Sequence, residues 1–238
     1  MSFQPGTEAE TRTPDIAYNQ RYAGVGKTRS GKTTFAIVLA SVLVEWKKYA
    51  KPSDPEVWFV NTKNDPRDLQ LLFDWGYRLA PEGRSNYRIF TVQRTEGKRQ
   101  WENAQNIFAK AYSYGGVLLV VDEYRQVTPN TVDPGPDLLD VFQRGGGLGI
   151  GIIGLTQEPV YIPRQLVSQA THQFIFDLSY PNDIKRIREF YEPYRRPLFR
   201  GDKHGMYHLA VDYDGLGAYY HHYKDWVQSN NLMERIAA

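Results

Sequence analysis

The chain has 238 residues, enough for one large domain with a full core, and its 29 Lys and Arg against 27 Asp and Glu leave a net charge of only +2. That balance neither demands nor excludes a polyanionic partner, whereas 41% hydrophobic and 14% aromatic residues exclude a disordered chain. The absence of cysteine excludes disulfide frameworks, thiolate nucleophiles and sulfur-ligated zinc, and leads us to expect an intracellular, cytoplasmic protein.

Residues 1–15 are polar, without the basic and apolar regions of a signal peptide, and read as a flexible arm. Residues 16–238 read as one domain, with 182–238 as a helix–hairpin–helix elaboration at its end. The longest apolar runs, Phe35 to Val44 and Gly145 to Leu155, are about half of what a bilayer span needs, so no transmembrane helix is expected. Strand-like and helix-like patterns alternate, which predicts an α/β fold with a mainly parallel central sheet flanked by helices. In chain order the pattern predicts a strand at Arg21 to Val25, a Gly-rich turn and a helix from Lys32 to Tyr49. A strand at Val57 to Asn61, a helix at Asp65 to Leu79, a strand at Tyr87 to Val92 and a helix at Gln100 to Tyr114 follow. Val117 to Val121 is wholly apolar, the pattern of a strand buried on both faces. Beyond it come a helix at Asp137 to Gln143, a buried strand at Gly149 to Leu155, a sixth strand at Phe174 to Leu178, and a helix at Asn182 to Tyr191. Met206 to Tyr223, centred on Asp214-Gly215, reads as an antiparallel hairpin, with a last helix from about Lys224.

Gly26, Lys27, Thr28, Arg29, Ser30, Gly31, Lys32 and Thr33 spell GKTRSGKT, a full match to G-x-x-x-x-G-K-[ST] between a predicted strand and helix. Such a P-loop wraps backbone N–H groups around phosphates, with Thr34 continuing into the helix. Lys32 is placed to reach the terminal phosphate oxygens and Thr33 to ligate Mg²⁺. Downstream, VLLVVDE ends in Asp122 and Glu123 at the carboxyl end of a buried strand, where ligands bind in open α/β sheets. Asp122 fits a role in holding Mg²⁺, and Glu123 fits activation of a water for in-line attack on a γ-phosphate. Gln157, after Thr156 at the end of the next apolar strand, offers an amide to that phosphate or water, although polar residues end many strands without such a role. We expect the acidic strand to lie beside the P-loop strand.

GKTRSGKT, VLLVVDE, Arg144 before GGGLGIGIIGLTQEP, and IPRQLVSQATHQFIFDL together resemble the HerA/FtsK superfamily of ring-forming DNA-pumping ATPases. Lys63, in VNTKNDP, stands where that family often carries a basic residue. The compact chain resembles most the genome-packaging ATPases of membrane-containing double-stranded DNA viruses. Arg29, where the family often has another glycine, and the C-terminal hairpin depart from the pattern. The resemblance implies a RecA-like P-loop NTPase fold, ATP and Mg²⁺ as cofactors, a homohexameric ring, double-stranded DNA as partner, and docking on a capsid vertex or portal-like membrane protein. It also implies that Arg144 is an arginine finger supplied in trans. An arginine favoured by a helix C-terminus is the plainer reading, and Arg164 is the next candidate. Conjugative or chromosomal DNA pumping is the nearest alternative function.

Other signals weigh less. A P-loop kinase acting on a small acceptor, with Arg195 and Arg196 as a lid, has less use for Glu123. Thr62-Lys63-Asn64-Asp65 matches a guanine-selecting pattern but lies upstream of the acidic strand, which favours ATP over GTP. His204, His208, His221 and His222 suggest hairpin packing rather than a metal, because residues four apart on one strand lie about 13 Å apart. DNA contact is expected from the loops Tyr124 to Gly135 and Glu158 to Arg164, through Arg125 and Arg164. The basic and aromatic stretch Ile184 to His204 has the composition of a nucleic-acid surface, but a solvated helix or a subunit interface is the plainer reading.

Overall fold

The computed structural model describes residues 17–28, 30–46, 55–80, 86–130, 132–176, 178, 180–190, 207–212 and 217–222. The N-terminal arm, Arg29, the hairpin turn at Asp214-Gly215, Arg195, Arg196, His204 and the helix from Lys224 lie outside the described residues, as does the predicted end of the first helix at Tyr49.

Seven parallel strands form one sheet: β1 (Arg21–Val25), β2 (Glu56–Asn61), β3 (Arg78–Leu79), β4 (Tyr87–Thr91), β5 (Val117–Val121), β6 (Gly151–Thr156) and β7 (His172–Ile175), in the spatial order β3-β4-β2-β5-β6-β1-β7. The intervening helices are α1 (Lys32–Trp46), α2 (Pro66–Asp74), α3 (Gln100–Tyr114), α4 (Tyr124–Val127), α5 (Pro136–Arg144), α6 (Arg164–Gln169) and α7 (Pro181–Phe190). This confirms the expected α/β class. Strands β8 (Tyr207–Asp212) and β9 (Gly217–His222) pair antiparallel as the sequence predicted, with β8 beside β7. Their register sets His208 opposite His221, a neighbour relation that spacing along one strand does not reveal.

The period-2 alternation of a strand sorts the core into two layers. Leu118 and Val120 of β5 join Phe35, Leu39 and Leu43 of α1 and Leu72 of α2 on one face. Val117, Leu119 and Val121 join Phe108 of α3, Phe142 of α5 and Leu166 of α6 on the other. Both faces being covered explains why β5 throughout, and β6 up to its terminal Thr156, carry no polar side chain and are buried at every position.

The acidic strand β5 is not beside the P-loop strand β1, contrary to expectation: β6 separates them. The order of strands across a sheet is set by crossovers, which a linear hydrophobic pattern does not encode. Gly151 admits β6 to this slot, since a Cβ there would lie 1.9 Å from the carbonyl oxygen of Tyr18. The helix predicted to run to Leu79 stops at Asp74, because Gly76 takes φ +84° and Arg78–Leu79 leaves to pair with β4. The two presumed loops contain short helices, α4 in one and a 3₁₀ turn at Pro159–Tyr161 leading into α6 in the other. Strand β7 begins two residues earlier than predicted, its extent set by pairing with Tyr22 to Val25.

At the amino end of the sheet, buried Glu56 accepts hydrogen bonds from Trp58 Nε1 (2.7 Å), Arg88 Nη2 (2.9 Å) and the Tyr114 hydroxyl (2.7 Å). The turn after α5 is anchored there too. The Arg21 guanidinium donates to the Phe142 carbonyl, Asn19 Nδ2 to that of Gly146 (3.3 Å), and the Gly116 N–H to that of Leu148 (2.9 Å).

Candidate active site

Where β1 ends, residues 26–28, 30 and 31 lie over the carboxyl end of the sheet and α1 begins at Lys32. The turn is tight: a Cβ on Gly26 would lie 2.5 Å from Phe176 Cβ. Lys32 is buried and folds back so that Nζ donates to the Lys27 carbonyl (2.7 Å) and lies 3.4 Å from Ser30 Oγ. Burial, reinforced by the charge of Lys63, pushes its ammonium down to about 8, against the opposing pull of Glu123 and Asp122. A cation held over its own loop by carbonyl and hydroxyl oxygens is poised for a better anion, and this is what a phosphate seat requires.

Sheet topology carries the acidic pair to the same place. Thr33 Oγ1 donates to Asp122 Oδ1 (2.8 Å), and Lys63 Nζ sits 2.7 Å from Asp122 Oδ2. A hard divalent cation takes such oxygen donors, and Thr33 and Asp122 fit as its protein ligands. Glu123 is buried next to them, where it accepts from Thr156 Oγ1 (2.8 Å) and the Gln157 backbone N–H (3.2 Å). Burial raises its carboxyl above the ordinary value, opposed by the Thr156 hydrogen bond and the charge of Lys63. Gln157 in turn ties this strand end to the P-loop, its Oε1 accepting from Thr28 Oγ1 (2.6 Å).

The structure thus brings together Gly26, Lys27, Thr28, Ser30, Gly31, Lys32, Thr33, Asp122, Glu123 and Gln157, with exposed Thr34 in the first turn of α1. It does not bring Arg144 to them within one chain. Arg144 ends α5 at the amino end of the sheet, 68% exposed, with Nη1 3.8 Å from Asp140. Arg125 is half engaged: its guanidinium pairs with Glu158 and stacks 4.0 Å over the Tyr161 ring. Arg164 opens α6, and its side chain is outside the described residues. Sequence reading named two participants without giving them a role in the site. Thr156 was legible only as half of a Thr-Gln pair, and the contact between Lys63 and Asp122 depends on β2 and β5 being neighbours.

No protein family matches the chain by sequence, and no curated protein does. Solved structures do. The genome-packaging NTPase B204 of Sulfolobus turreted icosahedral virus 2, in complex with ATPγS, superposes with a TM-score of 0.63 at 16% identity, over 87% of this chain and 98% of that one. B204 from Sulfolobus turreted icosahedral virus, a DNA-packaging ATPase, gives 0.62 at 19% identity with the same coverage. VirB4 of Thermoanaerobacter pseudethanolicus gives 0.57 at 12% identity, over 84% of this chain and 88% of that one. These neighbours are of the type the motifs resemble, and they establish the class of the fold: a P-loop NTPase. Among the described residues no helix is long and apolar enough to cross a membrane.

Proposed function

We propose that the chain hydrolyses ATP to move double-stranded DNA, as a ring of six copies packaging a viral genome. The observation that supports this best is the closure of Thr33 on Asp122 beneath Lys32, with Glu123 as the adjoining buried carboxylate. A P-loop kinase has the first three groups but little need of the fourth. The likeness to B204 and VirB4 supports a motor over a kinase through fold alone.

In this reading Lys32 leaves the Lys27 carbonyl for the phosphate oxygens, where a charged donor gains more than it does from a neutral acceptor. Thr33 and Asp122 would hold Mg²⁺, which would supply charge neutralisation at the phosphates. Glu123 orients the attacking water and accepts its proton. Its burial among neutral donors leaves it a stronger base than an exposed carboxylate. Gln157, already bonded to Thr28, carries the state of the P-loop to the strand end that holds Glu123. Arg144 serves the site of a neighbouring copy, where it meets charge that develops on the transferring phosphoryl group.

Phosphate release measured with and without double-stranded DNA tests the proposal. The expected result is turnover that DNA stimulates, and DNA affinity that falls steeply with salt and depends little on sequence. Turnover indifferent to DNA, or transfer to a small acceptor instead of water, overturns it. Arg125→Ala is expected to lower stimulated turnover more than basal turnover, because a DNA phosphate must compete with Glu158 for that guanidinium.

A further inference from the structure

Asp122 carries the negative charge that a divalent ion is to use, yet it is only 1% exposed. A buried carboxylate without a counter-charge is costly, so the nucleotide-free chain must provide one. It does so from β2. Lys63 Nζ lies 2.7 Å from Oδ2, while Thr33 takes Oδ1.

Lys63 is not a surface lysine that has wandered in. Its backbone belongs to a built turn, in which Asn61 Oδ1 accepts from the N–H groups of Lys63 (3.3 Å) and Asn64 (3.2 Å). Gln100 Nε2 holds the Thr62 carbonyl from α3 (2.7 Å), and Asp65 caps the start of α2 through the Arg67 N–H (2.9 Å). Asn64 sits at φ +54°, the one non-glycine residue with positive φ among the described residues. Local strain that the surroundings over-determine is found where geometry serves function. Lys63 also faces the same space as Lys32, close enough that its charge helps to hold the Lys32 ammonium down. The two cations therefore flank the seat of one anion.

We propose that Lys63 is the resident counter-ion of Asp122, which a divalent cation must displace, so that the metal enters the site together with a polyphosphate. The inference rests on the reading of Asp122 as a metal ligand. Without nucleotide, an incoming dication replaces an ion pair and then sits beside two ammonium groups. With the triphosphate present, the displaced ammonium has a new anion to meet. The lysine thereby couples metal binding to nucleotide binding.

The test uses Mn²⁺ as probe, with the free ion followed by electron paramagnetic resonance, on the nucleotide-free full chain. Lys63→Met removes the charge and keeps the length. It is expected to bind Mn²⁺ about tenfold or more tightly than wild type, while Lys63→Arg stays near wild type and Asp122→Asn loses binding. Thermal unfolding gives a second readout. Lys63→Met should melt lower in chelator, recover on addition of Mn²⁺, and show no such loss in an Asp122→Asn background. Equal Mn²⁺ affinity in wild type and Lys63→Met, with binding still lost in Asp122→Asn, overturns the inference alone. Absence of Mn²⁺ binding in every protein, with or without an ATP analogue, overturns the metal reading of Asp122 and this inference with it. If Lys63→Met does not fold in chelator, it must fold in Mn²⁺, and failure in both conditions counts against the proposal.

Discussion

Both ends of the central sheet bury a glutamate, and the chain treats the two in opposite ways. Glu56, at the amino end of β2, receives an indole N–H, a phenol and a guanidinium. Glu123, past the carboxyl end of β5, receives one hydroxyl and one backbone N–H, and burial raises its carboxyl above the ordinary value. A carboxylate given its own cation and two further donors has little left to offer a substrate. One given neutral donors keeps its appetite for a proton. The difference in partners, more than burial itself, separates a carboxylate that holds the fold from one fit to act on a ligand.

Arg144 is the strongest challenge to that division, because the proposed function gives an active role to a group at the structural end of the sheet. If it completes a neighbouring site, Arg144→Ala should lower kcat about 10³-fold with ATP affinity nearly intact. Mixing it with Glu123→Gln under conditions of subunit exchange should then restore some turnover. Unchanged kcat returns the amino end wholly to a structural role. The two glutamates themselves sharpen the comparison. Glu56→Ala should cost about 3 kcal/mol in denaturant unfolding, since it orphans Trp58 and leaves Arg88 without its ion pair, and should leave ATP affinity unchanged. Glu123→Gln should reverse the pattern, with turnover down about 10²-fold. Its stability should be no lower near neutral pH, because a raised carboxyl means that the folded chain disfavours the ionised form. The smallest effect concerns Lys32. With its free-chain value near 8, ATP affinity should hold below that pH and weaken above it, by at most roughly tenfold per unit, as binding comes to require uptake of a proton. Calorimetric titrations in buffers of different ionisation enthalpy check this.

The carboxyl end of the sheet was largely legible in the sequence, and the amino end was not. GKTRSGKT and VLLVVDE are contiguous, and their chemistry depends on residue order inside each run, so Lys32, Thr33, Asp122 and Glu123 could be assigned before any fold existed. The strands carrying them were equally plain, since burial on both faces leaves an unbroken apolar run. What linear order does not hold is adjacency. The insertion of β6 between β1 and β5, the reach of Lys63 to Asp122 and the gathering of Trp58, Arg88 and Tyr114 on Glu56 all depend on which strands are neighbours. Short helices such as α4 and α6 escaped for another reason: a stretch of one or two turns is too brief to show a 3.6-residue period.

Strand β6 touches both ends of this division. Its amino end follows the glycine turn that carries Arg144, and its carboxyl end supplies Thr156 and Gln157 to Glu123. Six residues of extended chain reach about 17 Å, and a strand already near its full extension and paired on both sides neither stretches under an axial pull nor buckles under a push. In a ring that seats Arg144 over the next copy's phosphates, β6 is a strut with one foot in each of two consecutive sites. In that arrangement a displacement of Gln157 on nucleotide turnover would reach the neighbouring site as a movement of the arginine lent to it, and the rigid length of a single strand would couple one site to the next.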